Sequence, residues 1–339
     1  MTLTTDLVLY TEQPSSGELF SPVEGTHLVL PRIIADADQR TQERFFEFFA
    51  ANIRNGNTRR AYARQVARFL AWCELRGVTA LEQIRPMTVA AYIKELGGEN
   101  VHGKEQTVKQ ALAAIRMLFD WLVVGQVVPM NPAHSVRGPK YSIKKGKTPV
   151  LSKEDVRRLL DSIDTGHVVG LRDRALIGLM VFSFARIGAV VGMTVEDYYQ
   201  IGKRRWIRLH EKGGKFHEVP VHHLAKEYLD AYLDAAGIRL QGQTPLFRTS
   251  RGRSRKLTEN GLSEREALDL VKRRATKAGL PATICNHTFR ASGITAYLEN
   301  GGTVENAQAI AAHESPRTTK LYDRRGDQIN LDEIERIVI

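Results

Sequence analysis

The run Leu171-Arg172-Asp173-Arg174-Ala175-Leu176-Ile177-Gly178-Leu179-Met180-Val181-Phe182-Ser183-Phe184-Ala185-Arg186 decides how this chain folds. Apolar residues fall on nearly every side of a helix drawn from Leu171 to Phe184, which predicts a buried central helix rather than a surface one. Its most apolar part, Ala175 to Ala185, is too short to cross a bilayer and stops at a charge, Arg186. A guanidinium keeps its proton, so one that emerges from an apolar core needs an anionic partner, supplied by the protein or by a substrate.

Working outward, Ser152-Lys153-Glu154-Asp155 reads as a helix start, with Ser152 as the cap and acids in the first turn. Beyond Arg186, Trp206 to His210 is strand-like, Gly213-Gly214 makes a turn, and a second strand runs from about Glu218 to Val221. Pro220 has no N–H to give to a ladder, so this hairpin belongs at a sheet edge. Helical patterns resume at 224–236, 263–278, 288–299 and 304–312. Upstream lie four more: 41–54, a second capped by Asn57 or Thr58 with Tyr62, Val66, Phe69, Leu70 and Cys73 on one side, 88–96, and 105–124 with Gly125 as its stop. The reading is mainly α with a small antiparallel sheet in the second domain. Residues 1–40 form an N-terminal arm, 41–130 a helical domain, 131–150 a basic linker, and 151–339 a second domain with a C-terminal helix through Ile329, Leu331, Ile334 and Ile337 or Val338.

The 339 residues are 42% hydrophobic, enough for two domains with cores, and carry a net charge of +11. So basic a chain suits a polyanion such as nucleic acid, because neutralising phosphates releases condensed counterions. Arg60, Arg64 and Arg68 recur at four residues along one helix face, where they either track a phosphate backbone or simply face solvent. Arg137, Lys140, Lys144, Lys145 and Lys147 fill the linker without an acid, and Arg248, Arg251, Arg253, Arg255 and Lys256 form a further cluster. Cys73 and Cys285 do not suggest a disulfide framework, and no secretory leader precedes them, which together predict a cytoplasmic protein with no membrane association. His217-Glu218-Val219-Pro220-Val221-His222 fails as a zinc motif because Pro220 forbids the helix that would align both imidazoles. Gly213-Gly214-Lys215 lacks the first glycine and the hydroxyl residue of a phosphate loop, and no metal site is expected.

Chemistry concentrates in the last third. His287-Thr288-Phe289-Arg290 places a His and an Arg three apart, on one face of a helix that begins there. Ala312-His313-Glu314-Ser315-Pro316-Arg317-Thr318-Thr319-Lys320-Leu321-Tyr322 follows, with Ser315 and Pro316 suited to open a short helix. From Thr41 to the C-terminus, these features resemble the tyrosine recombinase, or phage integrase, family. In that family an Arg follows a buried helix, as Arg186 does. A Lys in a β-hairpin turn is matched by Lys212, with Lys215 as the alternative in the same turn. A His-x-x-Arg pair is matched by His287 and Arg290. A second His precedes the nucleophilic Tyr by nine residues, as His313 precedes Tyr322, with Thr318 and Thr319 between. Three positions depart from the family's habit: Ala189 where an acid often follows the first Arg, Ala291 after Arg290, and Ala312 before His313.

The resemblance implies a helical SAM-like core-binding domain that clamps DNA together with an α+β catalytic domain. It implies site-specific cutting and rejoining of double-stranded DNA through a covalent 3′-phosphotyrosine. Arg186 and Arg290 would hold the non-bridging oxygens, and Tyr322 would attack. Lys212 would protonate the leaving 5′ oxygen, His287 would act as base or orienting partner, and His313 would hydrogen-bond the phosphate. Because arginine and lysine supply the positive charge, neither a metal nor another cofactor is required. Arg60, Arg64, Arg68, Lys140, Lys144, Lys145, Arg251 and Arg253 become the expected DNA contacts. The implied assembly is a homotetramer on paired sites in a bacterial or phage setting, with accessory DNA-bending or directionality proteins, and with the C-terminal helix docked on a neighbour or on its own domain. A type IB topoisomerase-like enzyme and a non-catalytic DNA-binding protein of the same fold are the alternatives.

Overall fold

In the computed structural model, residues 30–98, 105–139, 146, 148–211, 215–252 and 254–323 are described. They fall into two units divided between Ser142 and Ile143. The expected Lys140, Lys144, Lys145, Lys212 and Arg253, most of the N-terminal arm and the C-terminal helix lie outside the described residues.

The first unit is helical: α1 (Arg32–Ala35), α2 (Gln39–Glu47) running into a π-helical turn at Phe48–Asn52, α3 (Gly56–Glu74), α4 (Pro86–Leu96) and α5 (Glu105–Val124). Each start has a local cause. The Asp38 side chain accepts from Thr41 N at 2.9 Å, Asn55 accepts from Thr58 N at 3.0 Å, and Pro86 occupies the first position of α4. The cap of α3 is therefore Asn55, two residues before the expected Asn57, because its carboxamide reaches the third amide of the helix. Phe48, Phe69, Leu70, Ile115 and Phe119 make the core.

Two expected boundaries shift. Ile33 and Ile34, assigned to the arm, are buried in this core, since the apolar pair in a short helix is stabilised by covering α2 and α3. Ala133 and Val136, assigned to the linker, are buried there too, and the Arg116 guanidinium donates to both of their carbonyls. Residues 133–136 therefore belong to the helical unit.

The second unit is built on α7 (Val168–Ser183), preceded by α6 (Lys153–Asp161) and followed by α8 (Ile187–Val191). Strands β1 (Tyr198–Ile201), β2 (Arg204–Glu211) and β3 (Lys215–Pro220) form an antiparallel sheet in that order, which puts Pro220 on an edge strand opposite Trp206. After α9 (His223–Ala236), β4 (Arg248–Ser250) and β5 (Leu257–Gly261) pair as a hairpin, and α10 (Glu264–Lys277), α11 (Asn286–Glu299), α12 (Val304–Ile310) and α13 (Pro316–Lys320) follow among the described residues. Strand β1 and the β4–β5 hairpin were not anticipated from the sequence.

As its all-round apolar pattern requires, α7 is buried. Its two buried charged residues neutralise each other: Asp173, fully buried, contacts Arg172 at 2.6 Å and Arg274 at 2.6 Å. Helix α11 lies so close to α7 that a Cβ on Gly293 would stand 2.2 Å from Val181 O. That approach brings Arg290, one turn earlier on α11, to the C-terminal end of α7. Phe184, Ile294, Leu298, Ala307 and Ala311 form a small separate core, against which Tyr322 packs.

Candidate active site

Arg290 is the centre of the site. Its side chain is 2% exposed and donates to the carbonyls of Phe184 and, at 2.5 Å, of Ala311. Both carbonyls belong to tight turns, because Phe184 has φ +55° and Ala312 has φ +47°. A side-chain-bearing residue in the left-handed region costs about 1–2 kcal/mol, and such outliers gather at functional sites. Here the two turns end α7 and α12 and aim both carbonyls at one guanidinium. Burial, followed by the charge of Arg186, pushes the Arg290 pKa down to about 10, while Tyr322 and Glu211 act in the opposite direction.

Arg186 precedes α8 as its N-cap residue and keeps a side chain 39% exposed, so it is less enclosed than its emergence from α7 suggested. The anionic partner it needed is supplied by the protein. Glu211, at the end of β2, brings Oε2 to 2.5 Å from Arg186 Nη1, and its own side chain is only 7% exposed. Ala189, where the family often has an acid, is buried among apolar side chains.

His313 is 7% exposed, with Nδ1 at 2.8 Å from the Thr319 hydroxyl and its ring stacked on Tyr322 with centroids 5.9 Å apart. Burial, then Arg290 and Arg186, push its pKa to about 3, which leaves the imidazole neutral at pH 7. His287 sits in the first turn of α11 with an open side toward solvent. Partial burial, then Arg290 and Arg186, lower its pKa as well. Ser315 accepts from Arg317 N and Pro316 opens α13, as the sequence predicted. Tyr322 is fixed through its backbone, whose N–H donates to Thr319 O at 2.9 Å and whose carbonyl accepts from Thr295 Oγ1 at 3.0 Å. The neighbouring Leu321 O accepts from Gly146 N at 3.1 Å.

Arg186, His287, Arg290, His313 and Tyr322 thus come together around the ends of α7, α11 and α12. Sequence reasoning missed Glu211 and the role of Thr319. Glu211 stands next to Lys212, and only the pairing of β2 with β3 reveals which way it points. His217 on β3 adds a second tie, donating from Nε2 to Ile310 O at 2.9 Å. Of the expected DNA contacts, Arg60 and Arg64 are exposed on α3, Arg68 is half-buried, and Arg251 is exposed after β4. Arg248, grouped earlier with the basic cluster, is 7% exposed and committed to Pro245 O, Gln241 and Thr244, so it braces its own hairpin.

The phage integrase family profile matches residues 149–328, and the phage integrase N-terminal SAM-like domain profile matches residues 43–125. Tyrosine recombinase XerD of Corynebacterium glutamicum is 30% identical over 277 residues, covering 79% of this chain and 87% of the relative. The fold resembles that of the XerH site-specific recombinase bound to palindromic difH substrate in a post-cleavage complex. The TM-score is 0.66 at 17% identity, with 87% of this chain and 94% of that one covered. It also resembles a lambda integrase tetramer bound to a Holliday junction, with TM-score 0.63 at 17% identity, covering 86% of this chain and 79% of that one.

Proposed function

Because this chain belongs to the phage integrase family, we propose that Arg186, Lys212, His287, Arg290, His313 and Tyr322 carry the steps of its reaction. It is a tyrosine-type site-specific DNA recombinase, which cleaves and rejoins strands through a 3′-phosphotyrosine. The observation that carries the residue assignment is the double tether of Arg290, which binds the end of α7 and the segment leading to Tyr322 through a single buried cation.

The Tyr322 phenol oxygen attacks phosphorus, the bond to the 5′ oxygen breaks, and the phosphate remains on the tyrosine. Arg186 and Arg290 stabilise the charge that builds on the non-bridging oxygens. His313 contributes a hydrogen bond: in the tautomer in which the Thr319 hydroxyl donates to Nδ1, the neutral ring carries its proton on Nε2 and can donate it to the phosphate. His287, neutral at pH 7, is free to accept the phenol proton. Lys212 delivers a proton to the departing 5′ oxygen, and a 5′ hydroxyl from another strand reverses the step. No metal or other cofactor enters.

The partner is double-stranded DNA, with Arg60, Arg64, Arg68, Arg251, Arg253, Lys140, Lys144 and Lys145 as backbone contacts. Their effect would be a steep loss of affinity with salt. The helical unit, including Ile33, Ile34, Ala133 and Val136 in its core, acts as the clamp, and the unit that begins at Ile143 acts as the catalytic domain. The active form is a homotetramer on paired sites in the bacterial cytoplasm, and accessory DNA-bending or directionality proteins set its outcome. Support for the tetramer is the fold shared with an integrase solved in that state. No helix among the described residues is long and apolar enough to cross a membrane.

A nicked suicide DNA substrate in EDTA tests the assignment. Wild type is expected to form a denaturant-resistant adduct and Tyr322→Phe none; an adduct with the variant overturns it.

A further inference from the structure

We infer that Glu211 is a positioning residue for cleavage, aiming Arg186 and tying it to the end of strand β2. The inference rests on the assignment of Arg186 as a phosphate ligand given above.

Three observations carry it. First, the contact is short and one-sided in exposure: Oε2 lies 2.5 Å from Nη1, the carboxylate side chain is 7% exposed, and the guanidinium is 39% exposed. The acid therefore lies behind the arginine, away from solvent, and holds one corner of a planar fork. The remaining N–H groups of that fork stay available to an incoming phosphate. A carboxylate merely occupying the phosphate's place would sit on the open side instead.

Second, no acid on α8 braces Arg186. The position three residues on is Ala189, buried in the apolar core. An arginine whose side chain has many rotamers loses little entropy on binding phosphate only if something already holds it, and Glu211 is the group in contact. Its charge also reaches Arg290, whose protonated form it favours.

Third, Glu211 is the last residue of β2 and pairs with Lys215, the first of β3. Residues 212–214 connect the two. Holding Glu211 on Arg186 therefore fixes the end of β2 against the arginine. The tie from His217 to Ile310 O holds β3 in the same way.

The test compares cleavage rate constants on the suicide substrate at saturating DNA for wild type, Glu211→Ala, Glu211→Gln, Arg186→Ala and the double variant Arg186→Ala/Glu211→Ala. Dissociation constants for the same DNA are measured alongside. Misplacing a catalytic group by about 1 Å costs on the order of 100-fold. Glu211→Ala is expected to lose about 10- to 100-fold in cleavage rate with DNA affinity within about twofold of wild type. In the Arg186→Ala background the same change should cost almost nothing more. A second arm replaces a non-bridging oxygen of the scissile phosphate by methyl, which removes the charge Arg186 serves, and the wild-type to Glu211→Ala gap should shrink. Glu211→Gln keeps size and an acceptor oxygen, so it reports on charge should the alanine variant fold poorly. Wild-type rates for both variants, or an equal loss with and without Arg186, overturn the inference. Adduct formation by Tyr322→Phe would instead overturn the underlying assignment, which separates the two failures.

Discussion

Replacing Arg290 with Met should separate the stability of this protein from its chemistry. The Arg290 side chain is 2% exposed, and its pKa falls from the ordinary guanidinium value to about 10, so keeping it charged in the fold costs about 3 kcal/mol at about 1.36 kcal/mol per unit. The sign is that of a cation disfavoured by folding: the cost is fully present below about pH 10 and disappears only as pH rises past the unfolded value. Methionine, unbranched and of similar reach, removes that cost and fills much of the space. Against this, the carbonyls of Phe184 and Ala311 each lose a donor, at about 1–3 kcal/mol for each group left buried and unpaired. The opposing effects nearly cancel, so urea unfolding should give a stability within about 3 kcal/mol of wild type. Cleavage of the suicide substrate should fall by at least roughly 100-fold, the usual consequence of deleting one donor to a developing oxyanion. Loss of more than about 5 kcal/mol would show that Arg290 is chiefly a structural clasp. Cleavage within about tenfold of wild type would refute its role at the phosphate.

Ala312→Gly should preserve cleavage and change stability by no more than about 1 kcal/mol in urea unfolding. Relief of the left-handed backbone is offset by the greater freedom of glycine in the unfolded chain. Gly293→Ala should cost about 3 kcal/mol or more in the same measurement, because the new methyl would stand 2.2 Å from the α7 backbone; a cost below about 1 kcal/mol would contradict the close approach. His313, with a folded pKa near 3, contributes stability that is complete above about pH 6.5 and is lost as pH falls toward 3. Thermal unfolding should therefore weaken below pH 6.5, and His313→Asn should flatten that slope. Asp173→Asn should destabilise by about 3–5 kcal/mol, since Arg172 and Arg274 would be left buried beside a neutral amide.

The sequence made the site legible to the extent that its groups are obligate. Arg186 after an apolar run, the His287 and Arg290 spacing, and the nine residues from His313 to Tyr322 are local signals, and four of those five side chains lie on or beside helix ends. Helices with strong periodicity, such as α5 and α9, were readable for the same reason. Contacts between segments distant in sequence were not. Glu211 reaches Arg186 across 25 residues, and nothing local distinguishes it from a solvent-facing strand glutamate. Strand β1 has four residues of mixed polarity, and β4 only three, too short for alternation to register. The first unit's core reached beyond its expected borders because Ile33 lies in a helix of only four residues and Ala133 and Val136 stand singly among turn-forming residues, so only tertiary packing gives them a face to cover.

The departures from the family's habit become intelligible together. Ala312 keeps the left-handed turn that a glycine would adopt freely, and the hydrogen bond from Arg290 to the adjoining carbonyl of Ala311 holds that turn in place. The strain and its restraint thus sit on neighbouring residues, so the backbone entering His313 is set by the buried Arg290 cation. Ala189 removes a brace from α8, and the acid appears instead on β2, on a side chain more buried than the arginine it holds. Moving the acid changes what Arg186 is registered against. A carboxylate on α8 would fix it to its own helix, whereas one on β2 fixes it to the sheet. With Arg186 as the proposed phosphate ligand, weakening that contact should slow cleavage and rejoining alike, because both directions pass through the same transition state.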